Sequence, residues 1–179
     1  MNKPTKQHYV PQCYLREFAD PLSFFSKDYF VWIIDRDGKR KRRDKVKNVL
    51  LSNDLYTISI PGKGKDYTIE KTLQDIEGTY ATIFREKISK RLPLSEEEHI
   101  MLCVFVAAML QRTLRHKDSV EKFSNDIAEM FSKMEIKHGV PPLKSLEAKK
   151  YVENAHKTEL INSIPEISKI LFNMSLAFL

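Results

Sequence analysis

The side chains of this chain that could do acid, base or anion chemistry are His8, Gln12, Asp35, Glu70, Glu77 and Arg112. Two of them fall in one stretch, His8-Tyr9-Val10-Pro11-Gln12-Cys13-Tyr14-Leu15-Arg16-Glu17-Phe18, where a titratable ring, a proline and an amide sit between aromatic anchors. An imidazole that titrates near neutrality can act as general base, general acid or metal ligand. Pro11 lacks a backbone donor and biases Val10 toward extended geometry, so a strand-like segment points His8 and Val10 one way and Tyr9 the other. His8 could then face a cleft, or it could bond a buried carbonyl and stitch the N-terminus to the body. Gln12 has the same two uses, binding a substrate or satisfying loop backbone.

Glu70 and Glu77, seven positions apart on a predicted helix, fall on nearly one face about 10 Å apart along the axis, too far to share a metal without a third element. With His8, Asp35 and Arg112 they could line a polar cleft in which carboxylates bind a divalent ion and the arginine holds a phosphate. The competing expectation for each glutamate is a solvated helical position. Arg112 follows the apolar run Ile100 to Leu110, and an arginine leaving a buried helix meets either a structural carboxylate or an anionic ligand.

A second kind of chemistry is concentrated between Arg36 and Lys47, where eight Lys or Arg stand beside only Asp37 and Asp44. Lys39, Arg40, Lys41, Arg42, Arg43 and Lys45 on a β-hairpin could track a phosphate backbone, with Trp32 and Tyr56 stacking bases. The alternative is an edge strand protected by charge, but edge protection needs only one or two lysines.

These residues require particular elements. Phe30 to Asp35 has the β-branched and aromatic content of a strand, Asp37-Gly38 reads as a hairpin turn, and a basic return strand spans Lys39 to Val46. A third strand is expected at Leu55 to Ile60, stopped by Pro61-Gly62, completing one small antiparallel sheet. From Thr68 the period becomes helical, with Ile69, Leu73, Ile76, Tyr80, Ile83, Phe84 and Ile88, up to Pro93. Ser95 with Glu98 forms a capping box for a helix from Glu96 past Arg112, expected to be buried on all sides. Val120, Phe123, Ile127, Met130, Phe131 and Met134 predict an amphipathic helix to about His138, before a break at Gly139 and Pro141-Pro142. A last helix starts near Ser145 and could be divided around Pro165. The apolar end, Ile170 to Leu179, is expected to bury itself in the core, a partner protein, a second copy or a longer natural chain.

The 179 residues, 42% hydrophobic and 30% charged, suit one domain of α+β class, a predominantly helical body behind a small antiparallel sheet near the N-terminus. The formal charge of +6 favours anionic partners. Cys13 and Cys103 show no metal spacing and no disulfide framework, and the N-terminus has no signal-peptide core, which together predict a cytoplasmic protein. Eleven apolar residues are too few to span a bilayer, so no membrane is expected. No Walker loop, paired zinc motif or Gly-x-Ser-x-Gly occurs.

The opening segment resembles a bacterial domain-of-unknown-function family whose members begin His-Tyr-Val-Pro-Gln. Further likenesses are Trp32 to Asp35, Lys47-Asn48-Val49, Asp54-Leu55-Tyr56-Thr57, Ile69-Glu70-Lys71 and Ile76-Glu77. Arg112-Thr113-Leu114 with Arg115 is similar to an Arg-Thr-Pro with a following Arg, with Leu114 in place of the proline. The resemblance spans about Gln7 to Arg115 and implies no settled activity. Longer members carry a Ser-Asp-Asn-Pro segment without a counterpart here, so the resemblance implies either a truncated member or one whose missing strands are supplied elsewhere. Two functions remain in view: a nucleic-acid-associated protein with nuclease-like phosphodiesterase activity, or a noncatalytic interaction module whose opening segment is structural.

Overall fold

The computed structural model describes residues 5–60, 62–138 and 145–174; the expected break at Gly139 to Leu143, Pro61 and the last five residues lie outside them. Strands β1 (Lys6–His8), β2 (Phe30–Ile34), β3 (Lys41–Lys45), β4 (Leu51–Asn53), β5 (Ile58–Ile60) and β6 (Gly64–Asp66) are interleaved with a short helix α1 (Gln12–Arg16). Helices α2 (Thr68–Glu86), α3 (Glu96–Gln111), α4 (Leu114–His138) and α5 (Ser145–Phe172) follow. The fold is α+β, and among the described residues every strand precedes Thr68, where α2 begins.

The expected single sheet is instead three separate two-stranded antiparallel ladders, β1 with β4, β2 with β3 and β5 with β6. In the first, Gln7 stands opposite Ser52 and His8 opposite Leu51. The return strand of the hairpin is shorter than expected, Lys41–Lys45, because the turn uses Asp35 to Arg40: Asp35 N–H donates to the Arg40 carbonyl and Gly38 N–H to the Asp35 carbonyl, with Gly38 at φ +72°. The third strand begins only at Ile58. Leu55 to Thr57 form a buried turn after Asp54, which sits at φ +51°, a left-handed conformation that aspartate tolerates better than most residues.

Two apolar clusters hold these parts. Leu55, Tyr56, Ile69, Leu73, Ala108 and Leu160 form one, against which Tyr9 packs, and Leu15, Val31, Val46 and Val49 form the other, against which Val10 packs. Tyr9 and Val10 therefore enter different clusters, as the alternation of an extended segment requires. Burial of Leu73 and Leu160, 2% and 0% exposed, contributes about 1.5–3 kcal/mol each. Tyr80 on α2 stacks on Phe105 on α3 with ring centroids 3.6 Å apart.

Helix α3 begins on the expected capping box: Glu98 N–H donates to Ser95 Oγ at 3.2 Å and Ser95 N–H to Glu98 Oε2 at 2.7 Å. Its body differs from expectation. Cys103, Phe105, Ala107 and Ala108 are buried, but Ile100, Val106 and Leu110 are exposed, so the helix is covered by α2 and α5 on one side rather than all round. Helix α2 stops at Glu86, well before Pro93, and a 3-10 turn at Ile88–Lys90 closes on Arg91 at φ +54°. Helix α4 buries Ser124, while Phe123, Ile127 and Met130, three of the positions expected on its packed face, are exposed and Val120 is half-buried. Helix α5 runs through Pro165 without division. Such a proline costs a helix interior on the order of 3 kcal/mol, which packing of Leu160 and Ile164 into the first cluster offsets. Ile170 and Met174 are exposed and Leu171 and Phe172 half-buried, while residues 175–179 of the expected apolar run lie outside the described residues.

Candidate functional site

Arg112, the residue that ends α3, is the hub that joins the opening segment to the helices. Its side chain is 2% exposed. Nη1 donates to Glu77 Oε1 on α2 at 2.6 Å, Nη2 to the His8 carbonyl at 2.5 Å and Nε to Tyr56 Oη at 3.3 Å. The guanidinium also lies 5.3 Å from the Tyr56 ring centroid. Burial pulls its pKa down, but Tyr56 and Glu77 more than offset this, so the cation persists. Tyr56 Oη in turn donates to the Arg112 carbonyl at 3.5 Å, capping a helix end that has no intrahelical partner.

The opening segment is built around the same hub. β1 is held by the ladder to β4, Tyr9 N–H donates to the Leu50 carbonyl, and buried Pro11 starts α1, where its missing N–H costs nothing. That first turn places Gln12 Nε2 3.5 Å from His8 Nδ1, a long contact. His8 Nε2 is buried and makes no hydrogen bond among the described residues. Burial lowers the His8 pKa from its ordinary 6.5, although the Val46 and Lys47 backbone and Glu77 favour the protonated ring. One residue earlier, Gln7 is fully buried: its Oε1 accepts from Tyr56 N–H at 2.6 Å and its Nε2 donates to Thr57 Oγ1 at 3.0 Å.

The glutamates depart from the solvated expectation. Glu70 is 8% exposed; Oε1 accepts from Gln74 Nε2 at 3.3 Å, while Oε2 is buried without a hydrogen bond among the described residues, and burial raises its pKa. Glu77 is half-buried because it serves Arg112. The Cys13 thiol is pushed up to about 11, mainly by burial and then by Glu77, so it stays protonated at neutral pH and is a poor nucleophile. Asp35 is not brought here: it is exposed at the hairpin turn, 3.9 Å from Arg40 Nε. Tyr56 is 0% exposed and so is closed to base stacking. Among the described residues, no group of three or more His, Cys, Asp or Glu is placed to hold a metal ion.

The family described as "Protein of unknown function (DUF4238)" matches residues 6–178. The chain belongs to that family. The match continues beyond Arg115, where the motif resemblance stops, and takes in α4 and α5, so the likeness is not confined to the N-terminal part. No curated protein and no solved structure matches the chain. No helix among the described residues is long and apolar enough to cross a membrane.

In this family member the basic arm lies apart from Arg112, on the β2–β3 hairpin. Phe30 stands opposite Lys45, Trp32 opposite Arg43 and Ile34 opposite Lys41, and directly opposed residues share a face. Lys41 Nζ lies 4.6 Å from the Trp32 ring centroid and the Arg43 guanidinium 4.5 Å from that of Phe30. Val31 and Ile33 face the second cluster instead. Many of the cations have carboxylate neighbours: Lys39 Asp37, Arg42 Asp44, Arg43 Asp20, and Lys45 and Lys47 both Asp28. Asp28 is held down at about 2 by its two lysines.

Sequence reasoning singled out His8, Gln12 and Arg112 but not Gln7, the most buried polar member of the segment. Its only signal was its place one residue before the signature.

Proposed function

We propose that this protein is a noncatalytic nucleic-acid-binding module that contacts single strands through the outer face of the β2–β3 ribbon, with the His8 to Gln12 segment as a structural staple. The observation that carries the reading is the register of the ribbon, in which Lys41, Arg43 and Lys45 alternate with Phe30, Trp32 and Ile34 on one face. Trp32 is 52% exposed and offers a stacking surface; a base stacked on an aromatic ring contributes about 1–3 kcal/mol. Successive cations on the strand are about 6.8 Å apart, a spacing that follows an extended backbone. The pairs to Asp20 and Asp28 are partly buried, with the Asp20 side chain 11% exposed, so a phosphate must displace these carboxylates to reach Arg43 and Lys45, while Lys41 lies over Trp32 with no carboxylate pair among the described residues.

What weighs against a phosphodiesterase is the use already made of the residues offered for it. Every nitrogen of the Arg112 guanidinium donates within the protein, His8 is desolvated toward its neutral form, and Asp35 stands elsewhere. A second reading, a protein-binding module, is favoured by Leu22 and Phe25, 80% and 96% exposed on the turn before β2.

Fluorescence anisotropy with labelled oligo-dT, oligo-U and a duplex, at low and moderate salt and with added magnesium, tests the proposal. Salt-sensitive binding of the single strands, without cleavage, is expected, and K41A/R43A should weaken it for every sequence and flatten its salt slope. Absence of binding at low salt, or binding indifferent to both K41A/R43A and W32A, would overturn it.

A further inference from the structure

The turn between α1 and β2 carries Leu22 and Phe25, the two most exposed large apolar side chains among the described residues, and Phe18 and Phe24 are exposed with them. Single exposed apolar side chains are ordinary on a protein surface, but four within one short stretch mark a contact site. The turn is not loose. Leu22 N–H donates to Asp20 Oδ1 at 3.0 Å, the buried Ser23 hydroxyl donates to the Asp20 carbonyl at 2.6 Å, and Phe30 N–H donates to Ser23 Oγ at 3.2 Å. These bonds fix the backbone so that Leu22 and Phe25 protrude, with no apolar partner to fold back onto.

Both ends of the turn are fastened to the basic ribbon. Asp20 pairs with Arg43 at 3.1 Å, and Asp28 with Lys45 at 2.7 Å and Lys47 at 2.8 Å, so the apolar tip and the ribbon form one body. The pairs do not cancel the charge. Two lysines share Asp28, and neither Arg16, which lies 5.4 Å from the Tyr29 ring centroid, nor Lys27 pairs with a carboxylate among the described residues. Residues 16–47 hold ten Lys or Arg against six Asp or Glu, which places +4 of the chain's +6 around this tip. The partner must therefore be anionic and must also take up protruding apolar side chains. The phosphates of a nucleic acid meet the first condition and offer nothing to Leu22. A lipid interface meets both, because it closes round an apolar tip while its headgroup phosphates face the cations beside it.

From this arrangement we propose that the turn docks the protein on the surface of an anionic bilayer, with Leu22 and Phe25 entering the boundary between headgroups and acyl chains and with Arg16, Lys27 and the surplus ribbon cations meeting the headgroups. An apolar run too short to span a bilayer has no bearing on such surface contact, and the docking does not depend on nucleic-acid binding by the ribbon.

Cosedimentation of the full chain with vesicles of phosphatidylcholine alone, and of equal parts phosphatidylcholine and phosphatidylglycerol, tests this at low and moderate salt. The mixed vesicles should bind the protein about tenfold or more tightly than the neutral ones, and salt should weaken that binding. L22S/F25S alters only exposed side chains, so it should fold normally by circular dichroism and keep its affinity for oligo-dT while losing about tenfold or more in vesicle binding. K27E should weaken vesicle binding in the same direction. Absence of binding to the mixed vesicles at low salt overturns the proposal, as does equal vesicle binding by wild type and L22S/F25S, which would leave the ribbon's charge as the sole attraction.

Discussion

Arg112 reaches across 104 positions to the carbonyl of His8 while its other terminal nitrogen holds Glu77 Oε1 at 2.6 Å, so one buried cation ties the start of the chain to the end of α3 and the middle of α2. The charge is desolvated, and its value lies in having every partner in place.

Removing that cation therefore leaves Glu77, the His8 carbonyl and Tyr56 Oη without their donor. R112A should destabilise the protein by about 3–5 kcal/mol, the usual cost of breaking a buried pair from one side. R112K keeps the charge but loses the fork and should fall between. Urea denaturation measures both; a loss below about 1 kcal/mol for R112A would mean that the network contributes no more than a surface pair.

His8, half-buried, and His156, buried, set an acid limit. Burial lowers both His8 and His156 below the ordinary 6.5, so the unfolded rings take protons before the folded ones do. Stability should be flat above pH 6.5 and fall as pH drops from there through the folded values. Melting temperatures between pH 7.5 and 5.5 show this directly, and the slope should lessen in H8N. A melting temperature unchanged over that interval would contradict the lowering of both rings by desolvation.

Glu70 has the opposite sign. Its carboxyl is raised above the ordinary 4.5, chiefly by burial, so ionisation opposes folding and stability is lost as pH rises through the folded value. E70Q should raise the melting temperature at pH 7 and lose that advantage below pH 4.5. If E70Q is less stable than wild type at pH 7, the attraction between Glu70 and Arg112 outweighs the cost of burial.

At the exposed start of α3, Ser95 Oγ accepts one of the first free N–H groups of the helix. S95A should cost about 1 kcal/mol, within the ~0.5–2 kcal/mol seen for such caps. S95D, which supplies an acceptor and a charge at the positive helix end, should recover most of it. Thermal unfolding of the three proteins compares them.

Elements fixed by neighbours in the chain were legible from the residues. The Ser95 to Glu98 box, the period of Ile69, Leu73, Tyr80 and Ile83, and the Phe30 to Ile34 strand each follow from contacts within a few positions. Where expectation failed, a distant contact decided. Leu55 to Thr57 have strand-forming side chains, but Gln7, 49 positions away, takes the Tyr56 N–H that a ladder would have used. Pro165 signals a break, yet packing of its neighbours against the first cluster carries α5 through it.

The candidate sites divide in the same way. Sequence alone determined that His8, Gln12 and Arg112 carry polar chemistry and that the Arg36 to Lys47 stretch is a basic ribbon, since side-chain type and two-residue alternation are local properties. Only the tertiary structure decided that Arg112 spends its donors inside the protein, that Glu70 is desolvated, and that Asp20 and Asp28 fasten the turn bearing Leu22 and Phe25 to the ribbon. Those facts depend on which surfaces are brought together and stripped of water, and burial sets the charge and reach of a polar group more than its place in the chain does.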